Sequence, residues 1–375
     1  MHSSLKSILC CVRPTVSGED ETSRAARHVG ESTGSSPRAS GMLAALAPRH
    51  ALPDGECQLG GYVMGRELVA GPVEGADFDS IRGANQTVIA TRKALRHGRG
   101  NVRDDIDYSG GQSTVRTEAG RRLEKRLLAT NVPPDVSRVA SALTAQAGNC
   151  AEHADIAAFL HAARMREGEQ VYTVGHETID HEWAEWRGEG SEGERRIVMD
   201  PYAKGPAIFA EDGEFSHNER ETLHQHDYNP TYGAHVRAEV QKLPQKKLES
   251  QLRRQMKKVG RDFRYHEDNL WDPTAVVSPE FAASVSSAIF RPLNTAPLMP
   301  QPEFGAHESA EPVLTGEQWM APLRHQIHAA GMARRLGADG VQEVARAATR
   351  IADVAADLRG FPLEPHPQEF EHDDS

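Results

Sequence analysis

The block from residue 150 to residue 200 constrains the fold most, because its hydrophobic pattern changes from a helical to an extended period. Residues 150–165 are rich in alanine and form a helix-favouring run. Three strand-like segments follow at 170–174, 181–187 and 196–200, and the glycine-rich run between the last two is typical of a hairpin loop. This order predicts an α+β fold, in which a helix packs on an antiparallel sheet.

Further helices are predicted on both sides of this block. Before it, helical spacing occurs near 88–95, from Thr117 to residue 128, and from Asp135 to residue 147. After it, Leu248, Leu252, Met256 and Val259 recur at helical spacing within the basic stretch 242–264. Two more helices are expected near the end of the chain, one carrying Leu323 and Ile327 and the other spanning 341–358.

Composition divides the 375-residue chain into three parts. Residues 1–58 are rich in Ser, Gly, Pro and Arg without a sustained period, which predicts a disordered leader. Residues 59–362 are expected to form one domain, with a core at about 135–235 and helical additions before and after it. Residues 363–375 are expected to be a loose acidic tail. A hydrophobic fraction of 38% agrees with an ordered core plus an unstructured fraction.

Charge and cysteine content exclude several classes of protein. The chain carries 43 basic and 54 acidic side chains, a net charge of -11, which argues against a nucleic-acid partner. No apolar run approaches the ~18 residues that a membrane-spanning helix needs. Four cysteines, at positions 10, 11, 57 and 150, are too few for a disulfide scaffold in a chain of this length.

Cys150 has the sequence context of a thiol nucleophile. Asn149 and Glu152 have the spacing of a capping box, so a helix is expected to begin at Cys150, where the helix dipole stabilises a thiolate. Such a nucleophile needs an imidazole to carry its proton and a third group to orient that imidazole. If the hairpin pairs residues near 187 and 195, Asp200 lies across from residue 182 and beside His181. The expected catalytic residues are therefore Cys150, His181 and Asp200.

Three further residues are candidates for completing this site. An oxyanion hole needs the backbone N–H of Cys150 and one more donor, for which Asn149 and Gln146 are near in sequence. Trp183 should share a strand face with His181, where it could line the cleft or simply pack in the core.

No cofactor is expected, and no metal. His176 and His181 lack the i, i+4 spacing of a zinc-binding helix, and His224-Gln225-His226 is more simply interpreted as a solvated loop than as a metal site.

The motifs of the candidate site resemble those of a known family. Gly148-Asn149-Cys150-Ala151-Glu152-His153-Ala154 is followed by His181-Glu182-Trp183 and then by Met199-Asp200-Pro201-Tyr202. This order is similar to that of the transglutaminase-like and papain-like Cys-His-Asp superfamily. More narrowly, it resembles the HopX, AvrPphE or XopE family of bacterial type III effectors, over roughly residues 148–203. The resemblance implies a papain-like cysteine-enzyme fold with Cys150, His181 and Asp200 in the catalytic positions.

The resemblance also implies where such a protein would act. It implies delivery by a type III secretion system into plant cells, with the leader 1–58 as the secretion signal and as a binding segment for a secretion chaperone. The expected location is the host cytoplasm, with the plasma membrane or nucleus as alternatives. Cys10 and Cys11 are candidates for S-acylation, which would give reversible contact with a host membrane.

The expected substrate is a host protein, attacked through a thioester intermediate. Resolution by water would make the chain a cysteine protease or another thiol hydrolase, which is the interpretation we favour. A protein glutamine deamidase, a transglutaminase or an acyltransferase would use the same three residues. A non-catalytic adaptor that binds host proteins or membranes is the alternative from another class.

Overall fold

The computed structural model describes residues 52–188, 195–262, 270–289 and 316–362. These residues form an α+β fold of eleven α-helices and one five-stranded antiparallel sheet. The helices are α1 Asp54–Val69, α2 Gly75–Ala94, α3 Arg103–Tyr108, α4 Gln112–Leu128, α5 Pro134–Ala145, α6 Cys150–Ala162, α7 Pro230–Lys242, α8 Gln245–Asp262, α9 Pro279–Ile289, α10 Gly316–Arg335 and α11 Val341–Ala356. The strands are β1 Gln170–His176, β2 Glu182–Arg187, β3 Arg196–Met199, β4 Ile208–Phe209 and β5 Thr222–Tyr228.

The sheet has the strand order β4–β3–β2–β1–β5, and every neighbouring pair is antiparallel. The predicted hairpin is present as β2 and β3. Its expected register is wrong by one residue, because Arg187 pairs with Arg196 rather than with residue 195. Asp200 directly follows the last paired residue of β3, Met199, so it stands at the end of the ladder.

Helix α6 is the central helix of the fold, and every residue from His153 to Ala162 is buried. It contacts β1 and β2 on one side and helices α2, α5 and α7 on the others. Its many alanines allow these neighbours to approach closely, which is typical of a helix enclosed on all sides. Only the amino-terminal turn of α6 therefore reaches the surface, and Cys150 is its first residue.

Helix α1 joins the beginning of the described chain to its end, because it packs against α9, α10 and α11. Gly61 permits this contact, since a Cβ atom there would lie 2.3 Å from Cγ1 of Val354. The boundary expected between a leader at 1–58 and a domain at 59 is wrong, because α1 begins at Asp54 and buries Cys57 and Gln58. The remainder of the predicted leader, 1–51, and the tail 363–375 lie outside the described residues.

The other predicted helices are present with shifted ends. Helix α2 begins at Gly75 and α4 at Gln112, both earlier than expected, because their first turns carry little hydrophobic periodicity. In α8 the predicted positions Leu248, Leu252 and Val259 are buried.

The predicted helix α10 is present, but its buried face differs from the one that its large hydrophobic residues indicated. Leu323 and Ile327 lie on α10 as expected, but their side chains are exposed, and Ala329, Met332 and Ala333 form the buried face of the helix instead. Among the described residues, no helix combines the length and the apolar character needed to cross a membrane.

Candidate active site

Hydrogen bonds from two directions fix the start of α6. The Glu152 carboxylate accepts a hydrogen bond of 2.7 Å from the backbone N–H of Asn149, as the capping-box spacing predicted. The side-chain oxygen of Asn149 accepts another from the backbone N–H of Gly100, at 3.1 Å. Arg121 donates to Glu152 at 2.7 Å and holds the pKa of that carboxyl below its usual range although burial opposes it. Cys150 is thus a half-buried thiol on a well-anchored helix terminus.

His181 and Asp200 form a buried pair at the ends of β2 and β3. Nε2 of His181 lies 2.6 Å from Oδ2 of Asp200, and the two residues are 2% and 3% exposed. The other carboxylate oxygen, Oδ1, accepts hydrogen bonds from the backbone N–H groups of Tyr202 and Ala203, at 3.1 and 3.0 Å. Asp200 therefore closes a turn and orients an imidazole at the same time, because each oxygen serves one role.

The pair favours a charged imidazole. Burial alone would lower the pKa of His181, but the Asp200 carboxylate raises it to about 10, and Cys150 adds to that rise. The same contact holds the pKa of Asp200 below its ordinary value, against the effect of burial. Nδ1 of His181 is buried and makes no hydrogen bond of standard geometry within the described part of the chain. Because Asp200 occupies Nε2, Nδ1 is the ring nitrogen left for the thiol of Cys150.

Four aromatic rings enclose the imidazole of His181. The centroid distances are 4.9 Å to Phe215, 5.7 Å to Tyr202, 6.0 Å to Trp183 and 6.0 Å to Trp271. Trp183 lies at 30° to the imidazole, so the expected shared face of these two residues is confirmed. Trp271 is nearly parallel to the ring, at 7°. This enclosure excludes water from the His181–Asp200 pair and strengthens the interaction between them.

Two half-buried arginines hold the segment that follows Asp200. Arg92 donates to the backbone carbonyls of Pro201, Ala203 and Gly205 at 3.0, 2.8 and 2.8 Å. Arg99 donates to the Tyr202 carbonyl at 2.8 Å. A second pair of contacts, at 2.8 and 2.9 Å, joins Arg99 to both oxygens of Asp105. The turn that carries Asp200 is therefore tied to helix α2 and to the loop after it.

Asn101 lies between the start of α6 and the aromatic rings. Its side-chain oxygen accepts a hydrogen bond of 3.0 Å from the Tyr202 hydroxyl, and its backbone carbonyl accepts one of 2.8 Å from the N–H of Trp271. The preceding residue, Gly100, bonds to Asn149. Burial is the main cause of the raised pKa of the Tyr202 hydroxyl, and the nearby Cys150 raises it further. Nδ2 of Asn101 donates no hydrogen bond within the described residues.

The two oxyanion candidates chosen from the sequence bond through their side-chain oxygens, and no hydrogen bond within the described residues uses their side-chain N–H groups. The backbone N–H of Asn149 donates to Glu152, and its side-chain oxygen accepts from Gly100. Gln146 is the residue that ends α5 in a left-handed conformation, with φ 55°, and its side-chain oxygen accepts from Arg96 at 3.1 Å. Proximity in sequence thus brought both residues close to Cys150 but did not predict where their polar atoms bond.

No sequence pattern predicted that Asn101, Phe215 and Trp271 belong to the site. These residues lie far from the motifs in sequence and approach the site only through loops, so no periodicity or spacing indicates them. Tyr202 did carry a signal, because it stands within the motif that contains Asp200.

The histidines considered for a metal have protein partners. Nε2 of His224 accepts from Arg187 at 2.8 Å, and Nε2 of His226 accepts from Arg138 at 2.7 Å. Within the described ranges, no group of three or more His, Cys, Asp or Glu side chains has the arrangement of a metal site. Cys10 and Cys11, the candidates for S-acylation, lie outside the described residues.

A groove opens beside the His181–Asp200 pair. Its volume is about 310 Å³, and it is lined by the turn 176–182 together with Gly175 and Gln225. His181 forms part of the lining, whereas Cys150 and Asp200 do not.

Three comparisons with known proteins found no relative of this chain. No protein-family model matches the chain, and neither a curated protein nor a solved structure matches it.

Proposed function

We propose that the chain is a thiol enzyme in which Cys150 is the nucleophile, His181 the proton carrier and Asp200 the residue that orients His181. The observation that carries this proposal is the buried His181–Asp200 contact of 2.6 Å, which leaves Nδ1 of the imidazole for Cys150. A surface histidine or a turn-forming aspartate would not need this enclosure. The cysteine at a helix terminus and the four aromatic rings support the same proposal.

The proposed reaction begins with an ion pair between the Cys150 thiolate and the His181 imidazolium. The sulfur attacks the carbonyl carbon of a peptide or a carboxamide, and Nδ1 of His181 gives its proton to the leaving amine. The product is a thioester on Cys150 and a free amine. Water, deprotonated by His181, then attacks the thioester, releases a carboxylic acid and returns the thiol. If an amine replaces water in this step, the same site is a transglutaminase or an acyltransferase.

For the substrate we propose a protein of the host cell, on the resemblance to the type III effector family. In that proposal the papain-like arrangement of helix and sheet carries the chemistry, and the residues before helix α1, 1–53, carry the secretion signal. A reporter fused to residues 1–53 should enter plant cells only from bacteria with a functional type III system. Equal delivery from a secretion-deficient strain would contradict this part of the proposal and leave the thiol chemistry unaffected.

The chemistry is tested by alkylation with a short pulse of iodoacetamide, followed by intact mass and peptide mapping. At pH 6, Cys150 should react at least about 10-fold faster than an ordinary thiol, and His181→Ala should remove that advantage. Cys57 is the internal control, because it is buried and burial raises its pKa to about 11. If Cys150 reacts no faster in the wild type than in His181→Ala, the ion pair is absent and the adaptor alternative takes precedence.

For the second oxyanion donor we propose Nδ2 of Asn101. Acylation of Cys150 by p-nitrophenyl acetate passes through a tetrahedral oxyanion, whereas alkylation by iodoacetamide does not. Asn101→Ala should therefore slow acylation about 100-fold and leave alkylation nearly unchanged. An equal loss in both reactions would show that Asn101 only supports Tyr202 and the fold.

A further inference from the structure

Helix α8 concentrates positive charge in an acidic protein. It carries seven basic and two acidic residues, a net charge of +5, whereas the whole chain carries -11. The rest of the chain therefore carries -16. The seven basic residues, which we call the α8 basic face, are Lys246, Lys247, Arg253, Arg254, Lys257, Lys258 and Arg261.

The α8 basic face is continuous and points away from the protein. Leu248, Leu252, Gln255 and Val259 are buried, on the side where α8 packs against α4 and α5. With 3.6 residues per turn, the seven basic positions fall within an arc of about 140° opposite this buried side. All seven side chains are exposed. Helix α8, with 18 residues, is about 27 Å long, so the face is an elongated strip.

These cations contribute little to the stability of the folded chain. Arg253 has an acidic neighbour, Glu249, at 3.9 Å. The other six have no acidic partner within 4.0 Å in the part of the chain that the structure describes. Arg253, Lys257 and Arg261 follow one another at i, i+4 spacing, where like charges repel. The like charges therefore repel one another in the free protein, and an external anion bound to the face would offset this repulsion.

We propose that the α8 basic face binds the surface of an anionic phospholipid membrane. A planar bilayer touches only one side of the protein, and the remaining charge of -16 is screened beyond about 10 Å at ordinary ionic strength. A nucleic acid would have to approach a protein whose net charge is -11, and the face has no aromatic side chain on which single-stranded bases could stack.

The mode of contact follows from the composition of the face. None of the large exposed hydrophobic side chains of the described residues belongs to α8, so the helix would lie on the headgroups without inserting. Binding of this kind is electrostatic and should be lost as salt rises. Exposed Arg122, Lys125 and Arg126 on α4, the helix that packs against α8, add positive charge to the same part of the molecule.

The test is co-sedimentation of the full chain with vesicles of phosphatidylserine and phosphatidylcholine. The test variant is Lys246→Gln, Arg253→Gln, Lys257→Gln and Arg261→Gln combined. The matched control combines Arg166→Gln, Arg220→Gln, Arg334→Gln and Arg346→Gln, four exposed arginines outside α8, and changes the net charge equally. Glutamine is a good helix former, and circular dichroism checks that both variants fold.

We expect the wild type and the control to bind the anionic vesicles and the test variant to lose about 100-fold in partition coefficient. Binding should disappear with pure phosphatidylcholine. Equal binding by both variants, or binding to neutral vesicles, would overturn the proposal. Tighter binding to duplex DNA or RNA than to vesicles at the same phosphate concentration would also overturn it and favour a nucleic acid. Because Cys150→Ala leaves this face intact, failure here would be separate from failure of the proposed thiol chemistry.

Discussion

The region around α6 and the sheet differs from the region around α1, α9, α10 and α11 in what it buries. The first encloses ionisable groups, among them His181, Asp200, His153 and Asp155. The second brings helices together mainly on apolar side chains and glycines, as where Gly61 faces Val354, and it buries fewer ionisable groups, such as Glu56 and His325. The stability of a region with buried ionisable groups depends on pH and on the presence of both partners. The stability of a closely packed apolar region depends on side-chain volume. Substitutions in the two regions should therefore affect different properties of the protein.

The largest expected effect is on reactivity, from Asp200→Asn. Asparagine has nearly the same shape but no charge, so the buried His181 ring would lose the contact that raises its pKa. We expect the pKa of His181 to fall from about 10 to below its ordinary value of 6.5. Alkylation of Cys150 at pH 6 should slow by about 100-fold. The ring carbon shifts of His181, followed by NMR from pH 4 to pH 11, measure the first effect directly.

The sign of the pH dependence follows from this pair. Because the folded pKa of His181 is raised, its contribution to stability is complete below about pH 6.5 and is lost as the pH rises toward 10. Because the folded pKa of Asp200 is lowered, its contribution is present above its ordinary pKa of 3.8 and is lost at lower pH. A wild-type His181 that titrates near 6.5 would contradict the ion pair and remove the contrast between the two regions.

The second effect is on stability, from Gly61→Ala in α1. A Cβ atom there would lie 2.3 Å from Cγ1 of Val354, so the helices must separate, and the free energy of unfolding should fall by about 2 to 3 kcal/mol. Gly331→Ala in α10 is the control, because a Cβ there meets nothing within 4 Å, and it should stabilise by about 0.5 to 1 kcal/mol. Urea unfolding measures both. If Gly61→Ala also slows alkylation of Cys150 in the folded protein, the two regions are coupled.

The smallest effect is expected at Asp155, a buried carboxyl that the proposed chemistry does not use. Burial raises its pKa to about 7, and Arg138, 3.7 Å away, only partly offsets this. Since the folded pKa is raised, ionisation destabilises the fold increasingly between about pH 4 and pH 7. Asp155→Asn should therefore raise the unfolding free energy at pH 8 by about 1 to 2 kcal/mol and change it little at pH 4. Thermal unfolding at both pH values tests this, and a loss of stability at pH 8 would mean that the ion pair with Arg138 dominates.

The sequence was sufficient for features that depend on local chemistry. The capping-box spacing of Asn149 and Glu152 predicted that α6 begins at Cys150, because the orphan N–H groups of a helix terminus select residues within four positions. Alternating residues and a glycine-rich loop predicted the β2–β3 hairpin. Its register was one residue off, because register depends on where the loop begins and ends, and the sequence pattern located these ends only to within one residue.

Tertiary structure alone decided how the candidate site is completed. Asn101, Phe215 and Trp271 come from three separate loops, and hydrophobic periodicity carries no information about which loops meet. The helix start at Asp54 was missed for a related reason, since its stability comes from contacts with α9, α10 and α11 rather than from its own pattern. Local sequence thus determined where α6 begins, where strands turn and which residue types stand at the motifs. Only the packing of distant segments enclosed His181 and Asp200 away from water, because burial is a property of the whole fold.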